Sequence, residues 1–332
     1  MPQAESGSAT EASPLRTRLL FTLKLGISFG LLILLFRYAD MSTVLQRLRG
    51  AAPMPLLLAF ALLGVQILLS STKWRLILRA DGFDVEYLTL LKINATSSFA
   101  SLFLPSSFGG DVYRVIALRS HTGGLVRSTA SVLFDRGTGL FALVTIAVVS
   151  YQFYPDNSYA HAMVVGWAAV IALFALATSN RLLQSPLWPR LKPVQHMRSL
   201  LGTLRVYRKS GNLVLGAMAL SLVFQLIMVV INLLYARALG IGIAFTTLLV
   251  IIPLIYLTEV IPLSINGIGI RDSAFIIAFA AIGRPAEEAL AMSVILISMR
   301  YAFGFLCGSV VLTTILKGHS LNEQATGTKP RR

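Results

Sequence analysis

Residues 104–114 read LPSSFGGDVYR, and residues 259–272 read EVIPLSINGIGIRD. Both contain Pro-x-Ser-x-x-Gly-x-x-x-Arg. The positions are Pro105, Ser107, Gly110 and Arg114 in the first, and Pro262, Ser264, Gly267 and Arg271 in the second. Each is displaced by the same 157 residues, and Ala117 with Ala274 extends the match. Both copies lie in or beside sequence apolar enough for a bilayer. Helix breakers followed by a permanent cation, at that depth and in two matching halves, point to a site for a polar group in a duplicated transporter.

The residue types explain why. Pro105 cannot continue a helical hydrogen-bond ladder, and the Gly109-Gly110 pair permits turns that other residues resist. Non-helical backbone at membrane depth is tolerated where protein or a polar cavity surrounds it, so the segment is expected to line a cavity. A second half-helix would begin near residues 107–111, its N-terminal amides able to face an anion. Arg114 adds a permanent charge and a planar fork suited to phosphate. Asp111 is placed to pair with Arg114 or Arg136. The same reasoning covers Pro262, Gly267, Gly269 and Arg271. Asn266 can donate and accept, and Glu259 and Asp272 add carboxylates on either side.

Composition sets the class. Of 332 residues, 55% are hydrophobic and 13% charged, against about 25% charged in soluble chains. A span needs roughly 20 mostly apolar residues. The runs 19–37, 53–71, 134–151, 163–178, 213–239 and 289–317 qualify. Apolar pairs 90–104 with 112–118, and 243–261 with 273–282, flank the two motifs. The expected fold is an all-α polytopic membrane protein with about six full spans and two broken, re-entrant helical hairpins in inverted repeats. A single membrane domain would cover 16–317, with repeats near 53–151 and 210–317. Residues 1–15 and the basic tail 318–332 read as disordered.

The formal net charge of +15 would suggest nucleic acid in a soluble domain. Here Lys and Arg gather in short loops, where they set topology and attract anionic head groups. Seven basic residues lie between Arg181 and Lys209, and none between Gln152 and His161. The first loop is expected in the cytoplasm and the second outside. Lys73, Arg75, Arg79 and Lys92 place the segment after the second span inside, and both termini follow. Arg37, Arg47 and Arg49 oppose this assignment, and Asp40 offsets one of them. In the basic segment 181–212, Met197, Leu200, Leu201 and Leu204 recur at helical spacing, which suits a helix lying flat on the cytoplasmic leaflet; a plain surface linker stands as the open alternative. The stretch 41–50 is expected to be a shorter helix of the same kind on the other face.

Asp135, Arg136 and Arg300 also fall in or near spans. Burying an ion costs several kcal/mol, so such residues face a cavity or a partner. For Asp135 and Arg136, ion pairs that fix helix packing and anchors at a helix end remain open alternatives. The four histidines show no ligand spacing, and neither a P-loop nor HExxH occurs. No metal, cofactor or ATP-driven step is expected. The single Cys307 offers no disulfide framework.

The early Leu104-Pro105, Gly109-Gly110-Asp111 and Arg114, with the late Pro262, Ser264, Gly267, Gly269 and Arg271-Asp272, resemble the flippase-like membrane domain of lysylphosphatidylglycerol synthases (the multiple peptide resistance factors) and its stand-alone relatives. The Asp135-Arg136 pair is similar to an acidic-Arg pair of that family. The resemblance implies a translocase of a bacterial inner membrane that carries a lipid between leaflets. On that resemblance the soluble aminoacyl-transferase domain of the full-length synthases is expected to be missing, so the chain would not make the lipid itself. The expected partners are membrane lipids: an anionic or aminoacylated phospholipid, a glycolipid or a polyprenyl carrier. A second copy, a synthase or a glycosyltransferase stands open as protein partner. Two other readings are a lipid-modifying transferase with Glu259 as base, and a scaffold that docks a glycosyltransferase. Asp111 and Asp272 stand where Glu is expected more often.

Overall fold

The computed structural model describes residues 40–103, 109–153, 210–259 and 269–326, with side chains as far as Thr313, together with residues 26, 161 and 164–168. Among the described residues there are helices and no strands. In chain order they are α1 (Met41–Arg49), α2 (Pro53–Ala80), α3 (Tyr87–Phe103), α4 (Gly109–Leu118), α5 (Leu125–Tyr151), α6 (Gly211–Ala238), α7 (Phe245–Thr258), α8 (Ile270–Ala281) and α9 (Ala286–Thr326). Four are long and apolar enough to cross a membrane: α2, α5, α6 and the stretch Ala286–Thr313 of α9. The predicted spans 19–37 and 163–178 fall almost wholly outside the described residues, as does the amphipathic segment 181–212.

Helix α1 is the amphipathic helix expected at 41–50. Asp40 caps it by accepting from the Ser42 amide at 2.9 Å. The Ser42 and Thr43 hydroxyls also donate to Asp40 and hold its carboxyl below the usual carboxylate range. Val44 is buried among residues of α6–α9, and Arg47 pairs with Glu288 of α9 at 3.1 Å.

Helices α2 and α6 share their construction. Each has 28 residues, and a shift of 158 carries one onto the other. Pro53 starts α2 with its φ pre-set and its missing N–H at a harmless position. Both helices end in the same turn. Gly82 and Gly240 adopt positive φ, 87° and 68°, where a Cβ is penalised. The amides of Phe83 and Ile241 then reach back to the carbonyls of Leu78 and Ala236, at 2.9 and 2.8 Å. This double turn satisfies carbonyls that a helix end would leave bare.

The two helices run antiparallel along one another. At one end the Ser210 hydroxyl donates to the Ala80 carbonyl at 3.2 Å. At the other, the Ala52 amide donates to the Ala238 carbonyl at 2.8 Å. The shift of 158 turns one bond's residues into the other's. Midway, Gln66 donates to the Phe224 carbonyl at 3.1 Å, again between counterparts. The other contacts are reciprocal too: α3 packs on α9, and α7 packs on α5.

Between the long helices lie interrupted pairs. Helices α3 and α4 have 17 and 10 residues, and α7 and α8 have 14 and 12. At about 1.5 Å per residue they are shorter than a bilayer core of roughly 30 Å. Ser97, late in α3, donates to the carbonyl of Gly110, early in α4, at 2.9 Å. Leu90 and Leu118, at the far ends, share one apolar cluster with Trp74, so the pair is an antiparallel hairpin. Gly110 permits this approach: a Cβ there would lie 2.7 Å from Ser97 Oγ and 3.0 Å from its carbonyl. Leu57, Leu215, Ile277 and Leu312 are each more than half exposed on the outer faces, which suits lipid rather than water.

Several boundaries differ from those predicted. The span expected at 134–151 begins at Leu125, so Asp135 and Arg136 lie within α5 rather than at its start. The span expected at 53–71 runs on to Ala80, so Lys73, Arg75 and Arg79 are helical residues and not loop charges. Each is paired: Lys73 with Asp135, and the two arginines with Asp84. The backbone of α9 stays helical to Thr326, past Lys317.

Packing of α9 on α3 depends on Gly304 and Gly308, one turn apart. A Cβ at Gly304 would fall 2.7 Å from Leu102 Cδ1, and one at Gly308 would strike the Phe99 ring. Small residues let membrane helices approach closely. Gly304→Val or Gly308→Val is expected to destabilise the detergent-purified protein by about 1–3 kcal/mol. A lowered thermal unfolding midpoint checks this, and an unchanged midpoint in both variants contradicts the contact.

Candidate functional site

Two charge centres sit among the helices, one in each half. The first joins α2, α4 and α5. Asp135 is its hub: Oδ1 lies 2.9 Å from Lys73 Nζ and Oδ2 accepts from Arg114 Nη1 at 2.9 Å. All three residues are less than 8% exposed. Asp111 bridges two cations, accepting from Arg136 Nε at 2.7 Å and from Arg114 Nη1 at 3.5 Å. Both pairings expected of Asp111 therefore occur together. Arg136 follows Asp135 in sequence, yet its side chain is 54% exposed.

Trp74 fixes the plane of this centre. Its Nε1 donates to Ser131 Oγ at 3.3 Å. The Arg114 guanidinium stacks over its ring with Cζ 4.1 Å from the centroid. Such stacking contributes about 2 kcal/mol when desolvated. Lys73 also donates to the Asp135 carbonyl at 3.3 Å and lies 5.9 Å from the Phe224 ring of α6.

The second centre is built on the end of α7, the start of α8 and the middle of α9. Arg271 Nη1 donates to Glu259 Oε1 at 3.0 Å, and Arg300 Nη1 lies 3.7 Å from the same oxygen. Asp272 accepts from the Gly269 amide at 2.8 Å and from the Ser293 hydroxyl. It thereby occupies the amide at the start of α8, a place the sequence suggested for a ligand anion. A carboxylate in a first helical turn also suits the helix dipole. Arg271 is 1% exposed, whereas the Arg300 side chain is 52% exposed.

The centres are neighbours. Helix α5 packs on α7, and the Glu259 carboxylate acts electrostatically on Arg136. The structure thus brings together Asp111, Arg114, Asp135 and Arg136 with Gly109 and Gly110, and Glu259, Gly269, Arg271, Asp272 and Arg300. Pro105, Ser107, Pro262, Ser264, Asn266 and Gly267 lie outside the described residues. Placement of Asp135 inside α5 removes the helix-end-anchor alternative for it and for Arg136. Lys73, Trp74, Ser131 and Ser293 escaped the sequence reading. The apolar positions Trp74, Leu76, Ile77 and Leu78 after Lys73 were the available signal that α2 continues past Ser71.

Residues 21–308 match the family described as the lysylphosphatidylglycerol synthase TM region. A UPF0104 membrane protein of Methanocaldococcus jannaschii is 20% identical over 321 residues, covering 89% of this chain and 94% of that protein. A UPF0104 membrane protein of Methanothermobacter thermautotrophicus is 31% identical over 114 residues, 33% of this chain and 32% of that protein.

Replacing Asp135 by Asn leaves Lys73 and Arg114 buried without their shared counter-ion. Removing one partner of a buried pair costs about 3–5 kcal/mol, so Asp135→Asn is expected to lower the unfolding midpoint sharply. Arg136→Gln, at a half-exposed position, is expected to change it far less. Equal midpoints for the two variants would contradict Asp135 as the hub.

Proposed function

We propose, from the premise that the chain belongs to the lysylphosphatidylglycerol synthase TM-region family, that it is a lipid translocase of the cytoplasmic membrane. Family and apolar helices make it a multi-pass membrane protein. Its cargo on this reading is a phosphate-bearing, aminoacylated or glycosylated lipid whose head group crosses while the acyl chains stay in the bilayer. Both termini face the cytoplasm, as the loop charges suggest.

The observation that carries the proposal is the pair Arg114 and Arg271. They occupy equivalent motif positions in the two halves. Both are buried, and each is held through Nη1 by a carboxylate. Ions inside a membrane domain are expensive and mark pathways for polar groups. The antiparallel, reciprocal packing of the halves supports an inverted duplication with the site at its interface. Rocking one half against the other would then expose that site to each leaflet in turn. Residues Pro105, Ser107, Pro262, Ser264, Asn266 and Gly267 would form the breaks beside the arginines. As a transferase base Glu259 is poorly placed, since it serves as counter-ion to Arg271 and Arg300.

The test is reconstitution in proteoliposomes with acyl-labelled lipids, scored by access of an impermeant reagent to the head group. Arg114→Ala and Arg271→Ala are expected to insert normally and to slow transfer at least about tenfold, the equivalent of one charged hydrogen bond. Undiminished transfer by both variants would remove the arginines from the route.

A further inference from the structure

The two equivalent arginines are used in the same incomplete way. Arg114 spends Nη1 on Asp135 and Asp111, and Arg271 spends Nη1 on Glu259. In both, Nε and Nη2 are buried and without a hydrogen-bond partner among the described residues. Asp272 Oδ1 approaches Arg271 Nη2 only to 3.7 Å and already accepts from Ser293. Nε–H and the neighbouring Nη2–H point the same way from the guanidinium edge. Together they form the fork that grips two oxygens of one phosphate or carboxylate. Stacking on Trp74 covers a face of the Arg114 guanidinium and leaves this edge alone.

Acceptors, by contrast, are mostly engaged, although Asp135 Oδ1 faces Lys73 as an ion pair without a hydrogen bond. Asp111 has one oxygen on Arg136 and the other on Arg114, and Asp135 has one on Lys73 and the other on Arg114. Asp272 has both oxygens hydrogen-bonded, and Glu259 is shared between Arg271 and Arg300. At the first centre three cationic side chains meet two carboxyl groups. At the second, two meet two. An incoming oxyanion completes forks that stand unfilled. Buried donors without partners are costly, so the protein itself gains from the anion.

From this we infer that the head group taken by this site carries a phosphate oxyanion, gripped by the Nε/Nη2 forks of Arg114 and Arg271. The inference rests on the translocase reading for its biological meaning. The fork itself can be tested by binding alone.

Detergent-purified full-length protein is mixed with phosphatidylglycerol, a polyprenyl phosphate or a phosphate-free glycosyl diacylglycerol, and retained lipid is counted by native mass spectrometry. At least about tenfold preference for a phosphate lipid over the glycolipid is expected, the worth of one fork hydrogen bond to a charged group. Phosphatidylglycerol and polyprenyl phosphate separate a phospholipid from a carrier lipid as the source of the phosphate. Arg114→Lys and Arg271→Lys keep the charge and remove the fork, so both are expected to lose the preference while the unfolding midpoint stays near wild type. Should a Lys variant unfold, selectivity in the wild-type chain still decides. Equal or stronger retention of the phosphate-free glycolipid overturns the inference and leaves translocation standing. Selective retention of a phosphate lipid without transfer in proteoliposomes upholds the fork and sinks the translocase.

Discussion

Low dielectric surroundings force every charge among these helices to find a counter-charge, and Asp135 meets that demand for two cations at once. Its oxygens reach Lys73 on α2 and Arg114 on α4 from a position within α5. Three helices distant in sequence are thereby tied at one point. A Coulombic attraction weak in water becomes strong where solvent is excluded. The cost of desolvating the same groups leaves little net stability. What such a hub contributes is arrangement, since a shifted register would strand a charge in hydrocarbon.

The same demand shapes the second half with other residues. Arg271 is the counterpart of Arg114 by motif position, yet its partner is Glu259 at the end of α7 rather than a carboxylate on the long helix α9. Asp272 turns to the Gly269 amide and Ser293. Backbone geometry repeats more faithfully than the charge pairing. The turns at Gly82 and Gly240 and the end contacts of α2 and α6 coincide under one shift. Each half keeps a cation at the break and solves its neutralisation separately, so the two centres differ: three cations to two carboxyl groups in one, two to two in the other.

Much of this was legible in the chain. The repeated Pro, Ser, Gly and Arg spacing located both centres, because a permanent cation beside helix breakers is rare in apolar sequence and its repetition is rarer. Asp111 and Glu259 were visible as nearby carboxylates. Lys73 was not, because a Lys after an apolar run reads as the end of a span. Its burial depends on Asp135, which lies 62 positions away, and one-dimensional hydropathy carries no information about such a partner. Trp74 and Ser131 were hidden for the same reason. The start of α5 was placed late because Ser128, Asp135 and Arg136 look polar, although Ser128 and Asp135 are buried against other protein.

By itself the sequence determined the class, the two interrupted hairpins and the arginines, since these follow from local properties: apolar length, absent backbone donors and fixed charge. Tertiary structure alone decided which carboxylate answers which cation, that α2 and α6 lie antiparallel as counterparts, and that both arginines keep the same edge unused among the described residues. Those facts are distances between residues far apart in the chain, and they arise when packing excludes water and leaves each charge to be satisfied by whatever the fold brings near.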